Sequence, residues 1–224
     1  MDWGKHMRDD VRDAVLDCVS YAVEKGTQSG RHIASLAAKI AEDMQRVGYD
    51  RESIFLDDVN VTLPGWFRPS KKWDITAFEG GVLVAAIELK SINSSFGNNA
   101  NNRAEEALGS ASDVDYATHN HLLEPNDLPP NFGYVLLVRK TPESTRKSKI
   151  GSRSRYAFDS EFENSSYVER FTILGKRLLR ERIYQAVWVA VVDLENGVVE
   201  EPDPLMTYDK FIAHLKGWID VMRA

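Results

Sequence analysis

Residues 73–90 read WDITAFEGGVLVAAIELK and form the most informative segment of the sequence. Two strand-like runs, Trp73–Phe78 and Val82–Lys90, flank the short segment Glu79-Gly80-Gly81, a pattern typical of a β-hairpin. If this segment is a three-residue loop, the opposed pairs are Phe78 with Val82, Thr76 with Val84, and Asp74 with Ala86.

This pairing places three charged side chains, Asp74, Glu88 and Lys90, on one face of the hairpin, with Glu88 diagonal to Asp74. A one-residue slip would bury those charges in the apolar face, so it is disfavoured. The predicted apolar face consists of Ile75, Ala77, Leu83, Ala85, Ile87 and Leu89.

Two carboxylates this close repel each other unless a cation or a proton lies between them. Mg²⁺ suits such a site, because it prefers oxygen ligands and is usually held by one or two carboxylates with water and phosphate. Lys90 is placed to orient or help deprotonate a water molecule. The combination predicts phosphodiester hydrolysis. The alternative is a surface hairpin that ends in a Glu–Lys pair, and the spacing alone does not choose between them.

The flanking segments predict an α/β fold with a mixed central β-sheet flanked by helices. Apolar residues recur with helical spacing over about 7–24 and in a second segment that ends at Gly48. The same spacing recurs over about 103–120, 166–182 and 208–222. Phe132–Val138 and Ala186–Val192 are continuous apolar runs, as in strands covered on both faces. We expect one domain over 1–224, with an N-terminal helical part at about 7–48 and a catalytic core at about 54–140.

Composition indicates a globular protein, since hydrophobic residues make up 43% and charged residues 28% of the 224 residues. The single cysteine excludes an intrachain disulfide, and Cys18 reads as a small buried side chain. No apolar run is long enough for a transmembrane helix, and the polar start predicts no secretion signal. A cytoplasmic protein with no membrane partner is the expectation.

The segment from Arg139 to Arg155 is strongly basic, although the chain has a net charge of −6. A loop with this charge favours contact with nucleic-acid phosphates. The alternative is an ordinary solvated charge run. Its basic residues, opposed only by Glu143, are Arg139, Lys140, Arg146, Lys147, Lys149, Arg153 and Arg155.

A long ordered series of short motifs resembles the XhoI-type restriction endonucleases, which belong to the PD-(D/E)XK nuclease superfamily. The resemblance is dense over about 60–140 and weaker towards both ends. Its motifs are Thr62-Leu63-Pro64-Gly65, Arg68-Pro69, Trp73-Asp74, Val84-Ala85-Ala86-Ile87-Glu88-Leu89-Lys90-Ser91, Ser95-Phe96-Gly97-Asn98-Asn99, Asn101-Asn102-Arg103-Ala104-Glu105-Glu106-Ala107, Leu128-Pro129-Pro130 and Leu136-Leu137-Val138.

The resemblance implies the superfamily fold, with Asp74 and Glu88 as metal-binding carboxylates and Lys90 as the catalytic lysine. It also implies the Leu89 carbonyl as a further ligand. Trp73 stands where the superfamily motif has proline.

Relatives also place a helical glutamate near the metal. Glu42 is the first choice for this role and Glu52 the second, and the alternative is that Glu42 lies on a solvated helix face.

Asparagine can read adenine and arginine can read guanine in the major groove, so Asn98, Asn99, Asn102 and Arg103 are predicted DNA contacts. Alternatively the asparagines brace the loop, with Asn102 as a helix N-cap. Lys71 and Lys72, just before Asp74, are further predicted DNA contacts.

The resemblance implies an Mg²⁺-dependent enzyme that cuts both strands of double-stranded DNA at CTCGAG. A palindromic target predicts a homodimer, and the host needs a separate protective methyltransferase. The alternatives are a structure-specific repair or junction-resolving nuclease of the same superfamily and a DNA-binding protein with a degenerate site.

Overall fold

The computed structural model describes residues 7–26, 31–150 and 154–224. Its helices are α1 (Asp9–Lys25), α2 (Arg31–Arg46), α3 (Phe96–His119), α4 (Pro142–Thr145), α5 (Tyr167–Arg180) and α6 (Tyr208–Met222). Its strands are β1 (Ile54–Phe55), β2 (Thr62–Pro64), β3 (Ser70–Lys72), β4 (Ile75–Glu79), β5 (Val82–Ile92), β6 (Asn131–Arg139), β7 (Ala186–Asp193) and β8 (Val198–Glu200). None of these helices combines the length and apolarity that crossing a membrane requires.

The main sheet has the strand order β1-β4-β5-β6-β7-β8. Strands β5, β6 and β7 run parallel, and the other neighbouring pairs are antiparallel. Helices α1, α2 and α6 pack on one face of the sheet, and α3 and α5 pack on the other. The predicted fold class, a mixed sheet between helices, is therefore confirmed.

The predicted helices are present, but α3 begins earlier than the sequence pattern indicated, at Phe96. The predicted N-cap, Asn102, therefore lies inside the helix; the N-cap is Ser95, with a left-handed φ of 51°. Buried Phe96 stacks on Tyr167 with ring centroids 6.1 Å apart. This packing outweighs the weak helix propensity of the glycine and asparagines that follow.

The hairpin register differs from the predicted one. Gly80 and Gly81 form a two-residue turn with φ values of 57° and 86°, so Glu79 pairs with Val82. Two glycines tolerate the positive φ angles that a tight hairpin turn needs. A bulge then interrupts the ladder between Ala77 and Phe78, and Thr76 pairs with Ala86.

The shorter turn shifts the pairing by one residue, and the bulge shifts it by one more, so the side chains below the bulge return to their predicted faces. The net displacement of the lower hairpin is two residues, from Thr76–Val84 to Thr76–Ala86, which preserves the faces there. Between the turn and the bulge, the predicted face of Leu83 was wrong. Leu83 packs on the face covered by α3 and α5, and Val84 packs on the opposite face.

A second, two-stranded sheet of β2 and β3 was not predicted as such. Its connecting turn is held against α3 by the buried carboxylate of Asp113. This carboxylate accepts hydrogen bonds from the backbone N–H groups of Trp66 at 2.8 Å and Phe67 at 2.7 Å, and from Arg68 Nε at 2.7 Å. A Cβ at Gly65 would lie 2.3 Å from the same carboxylate, so only glycine fits there.

We expect Asp113→Ala to lower the free energy of unfolding by about 3 kcal/mol, because it leaves the Arg68 guanidinium and two amides without their acceptor. Urea unfolding monitored by circular dichroism measures this loss. Asp115→Ala, on the same helix but with an exposed carboxylate, is the matched control and should change stability by about 0.5 kcal/mol or less. Equal effects of the two substitutions would contradict the role of Asp113.

Candidate active site

A cavity of about 580 Å³ opens where β4 begins, between β3, β5 and α2. Its wall on the α2 side is apolar and is formed by Ile33, Ala34 and Ala37. Its charged lining residues are Asp57, Lys71, Lys72, Asp74, Glu88 and Lys90. The three predicted catalytic residues, Asp74, Glu88 and Lys90, therefore share one cavity.

Asp74 is fixed against β5 by two hydrogen bonds. Its backbone N–H donates to the Ile87 carbonyl at 3.1 Å, and its Oδ2 accepts from the Leu89 N–H at 2.7 Å. The N–H and C=O of one strand residue point to the same side, so the Leu89 carbonyl faces the Asp74 side of β5.

Glu88 is a buried carboxylate between two lysines, with a side chain only 5% exposed. Its Oε1 contacts Lys90 Nζ, and its Oε2 lies 2.6 Å from Lys71 Nζ. Oε2 nevertheless accepts no hydrogen bond of acceptable geometry from the described residues. A buried carboxylate oxygen that is only ion-paired has capacity to bind a further ligand.

Burial, and next the negative charge of Glu88, raise the pKa of Asp74 to about 6. The hydrogen bond from the Leu89 N–H and the charges of Lys90 and Lys71 act in the opposite direction. Desolvation and like-charge repulsion thus outweigh the nearby cations. Asp74 therefore binds a proton more readily than an aspartate in water does.

Several buried polar atoms of this region lack a hydrogen-bond partner among the described residues. Besides Glu88 Oε2 they include Trp73 Nε1, Tyr134 Oη and Arg103 Nε. Tyr134 is the register partner of Glu88 on β6. Burial raises the pKa of Tyr134, the charge of Glu88 adds to this, and that of Arg103 opposes it. Unsatisfied polar atoms are uncommon in a folded protein, and two of these residues, Glu88 and Trp73, line the cavity.

These residues fit a hard divalent cation. Mg²⁺ is commonly held by one or two carboxylates and completes its shell with water and phosphate. The described residues contain no group of three or more His, Cys, Asp or Glu side chains that could hold a metal ion. The predicted donors, Asp74, Glu88 and the Leu89 carbonyl, would leave coordination positions open and so suit an ion that keeps several water ligands.

Comparison with known proteins matches residues 17–201 to the family model described as Restriction endonuclease XhoI. The chain belongs to the XhoI restriction endonuclease family. It is 39% identical over 156 residues to the type II restriction enzyme XhoI of Xanthomonas vasicola, covering 69% of this chain and 62% of that enzyme. It is 33% identical over 175 residues to the type II restriction enzyme BstVI of Geobacillus stearothermophilus, covering 75% and 77%.

A third relative, the type II restriction enzyme AbrI of Azospirillum brasilense, is 34% identical over 125 residues, which cover 55% of this chain and 56% of that enzyme. The match thus spans less than two thirds of the Xanthomonas and Azospirillum enzymes. No solved structure matches this chain.

The structure does not bring Glu42 to the cavity of this family member. Its carboxylate is half-exposed and binds Lys39 at 2.8 Å and Arg46 at 2.6 Å on the same helix. Residues Ile33, Ala34 and Ala37 occupy the helix face that borders the cavity. The solvated-face interpretation of Glu42 therefore agrees with the structure. Glu52, the second choice, is exposed and is not among the lining residues.

The predicted DNA-contacting residues of α3 differ in their availability. Asn98 and Asn102 are exposed, whereas Asn99 donates its side-chain amide to the Ser94 carbonyl at 2.9 Å. Arg103 is mostly buried, with Nη2 2.7 Å from Glu106. Asn99 thus supports the loop before the helix, as the alternative interpretation predicted for the asparagines.

The basic segment is partly neutralised by folding. Lys140 pairs with Glu200 at 2.7 Å, and Lys147 lies 3.4 Å from Glu169. Arg153 lies outside the described residues. Within the described part of the chain, three exposed residues of the segment form no ion pair, and these are Arg146, Lys149 and Arg155.

Sequence reasoning missed the position of Lys71, which was predicted only as a DNA contact. The structure places it against Glu88, while Lys72 is 61% exposed and pairs with Asp57. The signal that separates the two lysines is strand alternation, but β3 is only three residues long. It also missed Asp57, which lines the cavity.

We expect Asp74→Asn to raise the free energy of unfolding of the metal-free protein at pH 8 by about 1–3 kcal/mol, because each pKa unit corresponds to about 1.4 kcal/mol. A carboxyl whose pKa is raised on folding destabilises the fold above the folded pKa, here about 6. This cost falls as the pH decreases from about 6 towards the unfolded value near 4. Urea unfolding in chelator at pH 8 and pH 5 measures both differences.

The stabilisation by Asp74→Asn should accordingly be smaller at pH 5 than at pH 8. Asp57→Asn is the control, because Asp57 is exposed and Lys72 lowers its pKa. That variant should gain no stability at pH 8. A wild-type protein as stable as Asp74→Asn at pH 8 would show that burial of the Asp74 charge carries no cost.

Proposed function

We propose that this protein is an Mg²⁺-dependent type II restriction endonuclease that cuts both strands of double-stranded DNA at the palindrome CTCGAG. The observation that carries this proposal is the convergence of Asp74, Glu88 and Lys90 in one cavity of a chain that belongs to the XhoI restriction endonuclease family. The names of the relatives, all type II restriction enzymes, support the same activity. The recognised sequence rests on the resemblance alone.

In this proposal Asp74, Glu88 and the Leu89 carbonyl would hold the cation. When bound, the divalent cation supplies positive charge that acidifies a water molecule and offsets charge on the phosphate. Lys90, with its ammonium at the carboxylate of Glu88, orients the attacking water and stabilises negative charge in the transition state. The apolar wall formed by α2 limits competing solvent at the site.

The DNA duplex is proposed to contact the exposed residues around this cavity. Lys72 lines the cavity, and Asn98 and Asn102 are exposed on α3. Arg146, Lys149 and Arg155 are exposed cations without an internal ion pair among the described residues. Cations of this kind bind phosphates and supply affinity, whereas amide side chains can read base edges.

A palindromic target presents two equivalent strands, so we propose a homodimer in which each copy cuts one strand. The proposal also includes action in the prokaryotic cytoplasm and a separate methyltransferase that protects the host DNA.

The decisive experiment is a digest of unmethylated phage DNA with Mg²⁺ or with chelator, followed by sequencing of the fragment ends. We expect discrete, Mg²⁺-dependent fragments that end at CTCGAG. Discrete fragments at another sequence would overturn the specificity and retain the reaction. Cleavage confined to branched or damaged DNA would indicate the structure-specific nuclease, and tight binding without cleavage would indicate the degenerate binding protein.

We expect Lys90→Met to reduce the cleavage rate about 100-fold or more, since it removes a cation from the charge that develops in the transition state. DNA affinity, measured by fluorescence anisotropy with a labelled duplex in chelator, should change by about threefold or less, because most affinity comes from backbone contacts elsewhere. Glu42→Gln is the control and should cleave at the wild-type rate. Parental activity of Lys90→Met would refute the assigned role of Lys90.

A further inference from the structure

Lys71 lies inside the site in a way that backbone contact with DNA does not require. Its side chain is only 13% exposed, and its Nζ lies 2.6 Å from Glu88 Oε2. The ammonium also lies over the ring of Trp73, 5.1 Å from the ring centroid. Because Trp73 is itself buried, Lys71 is held in the cavity from two sides.

The neighbouring residue provides a direct contrast. Lys72 follows Lys71 on β3, and successive side chains of a strand point to opposite sides. Lys72 is 61% exposed and pairs with the exposed Asp57 at the rim of the cavity. Two adjacent lysines of the same chemistry thus have different surroundings, and only Lys71 contacts a proposed metal ligand.

Glu88 therefore binds two ammonium groups, Lys90 through Oε1 and Lys71 through Oε2. With both carboxyls ionised and both lysines protonated, the charges of Asp74, Glu88, Lys71 and Lys90 sum to zero. A divalent cation then gives the site a charge of about +2. A phosphodiester carries one negative charge, and its pentacovalent transition state carries about two once the attacking water has released a proton to solvent. The complete site is thus neutralised by the transition state and not by the ground state, which is the condition for catalysis.

We propose that Lys71 is a second active-site lysine with two successive partners. In the metal-free protein it is the counter-ion of Glu88 Oε2, the oxygen that accepts no well-formed hydrogen bond. When a divalent cation binds Glu88, the ammonium of Lys71 turns to a non-bridging oxygen of the DNA phosphate. This assignment rests on the proposed nuclease function and adds a residue to its catalytic machinery.

Two consequences of opposite sign follow from the charge of Lys71. Its ammonium repels a divalent cation from Glu88, so it weakens metal binding in the absence of DNA. The same ammonium stabilises the charge that develops on the phosphate, so it accelerates cleavage. A residue that only contacted the DNA backbone would affect neither metal binding without DNA nor the rate at saturating DNA.

The test is Lys71→Met, which keeps most of the side-chain volume and removes the charge. Isothermal titration of the DNA-free protein with Mn²⁺ should show metal binding about tenfold tighter than in the wild type. In Mg²⁺, kcat should fall about 100-fold, while KM for a duplex substrate should change by about threefold or less. Thermal melting shows that the variant is folded before either measurement is interpreted.

Lys72→Met is the matched control. It should leave the Mn²⁺ affinity unchanged and should raise KM more than it lowers kcat, because Lys72 is an exposed candidate for phosphate contact. Lys71→Arg retains the charge, so its Mn²⁺ affinity should stay near that of the wild type and its kcat should exceed that of Lys71→Met. This variant also tests the role of Lys71 if Lys71→Met does not fold.

Unchanged Mn²⁺ affinity and unchanged kcat in Lys71→Met would overturn the proposal, as would identical effects of Lys71→Met and Lys72→Met. The metal titration needs no cleavage activity, so it tests the role of Lys71 at Glu88 separately from the proposed nuclease function. If the wild type cleaves no DNA, the proposed nuclease function fails. Tighter Mn²⁺ binding by Lys71→Met would then still support Lys71 as the counter-ion of Glu88, and unchanged binding would refute it.

Discussion

The confinement of two carboxylates, buried Glu88 and partly buried Asp74, at the open end of an apolar hairpin is the constraint on which the site depends. Asp74 and Glu88 repel each other in a region shielded from water, and burial with this repulsion raises the pKa of Asp74 to about 6. Folding offsets part of the cost with the Leu89 N–H and with the two lysines. The hairpin register and the small β2–β3 sheet bring these groups together. Both features are therefore needed to form the charged site as well as to form the fold.

The predicted placement of Asp74 and Glu88 on one face agrees with the structure because two one-residue displacements restore the strand parity. The assumed three-residue turn was wrong, since Gly80 and Gly81 form the turn alone. The bulge beside Ala77 adds a second displacement, so Asp74 and Glu88 stay on the same face. Leu83 lies between turn and bulge, where only one displacement acts, and its face was therefore predicted wrongly.

Lys71 and Glu42 show what local patterns cannot predict. Strand β3 is too short for a readable alternation, and its pairing of Leu63 with Lys71 becomes known only in three dimensions. Glu42 had a suitable residue type on a helix that does border the cavity, but it lies on another face of that helix. The rotation of a helix about its axis depends on packing partners distant in sequence. Here Asp43 accepts a hydrogen bond from Tyr208 of α6 at 2.6 Å.

The buried carboxylates Asp43, Asp113 and Glu88 differ more in the number of hydrogen bonds that they accept than in their solvent exposure. Asp113 is fully engaged by two backbone N–H groups and Arg68, and Asp43 accepts from Arg8, Arg46 and Tyr208. Both are as inaccessible as Glu88, yet their bonding capacity is used within the chain, which is what a structural role requires.

Glu88 has ammonium groups beside it but an oxygen without an acceptable hydrogen bond, in a cavity open to a ligand. The arrangement costs stability unless a ligand completes it, and such a cost is retained where function depends on it. Incomplete hydrogen bonding, more than burial or charge, therefore distinguishes Glu88 from the structural carboxylates Asp43 and Asp113.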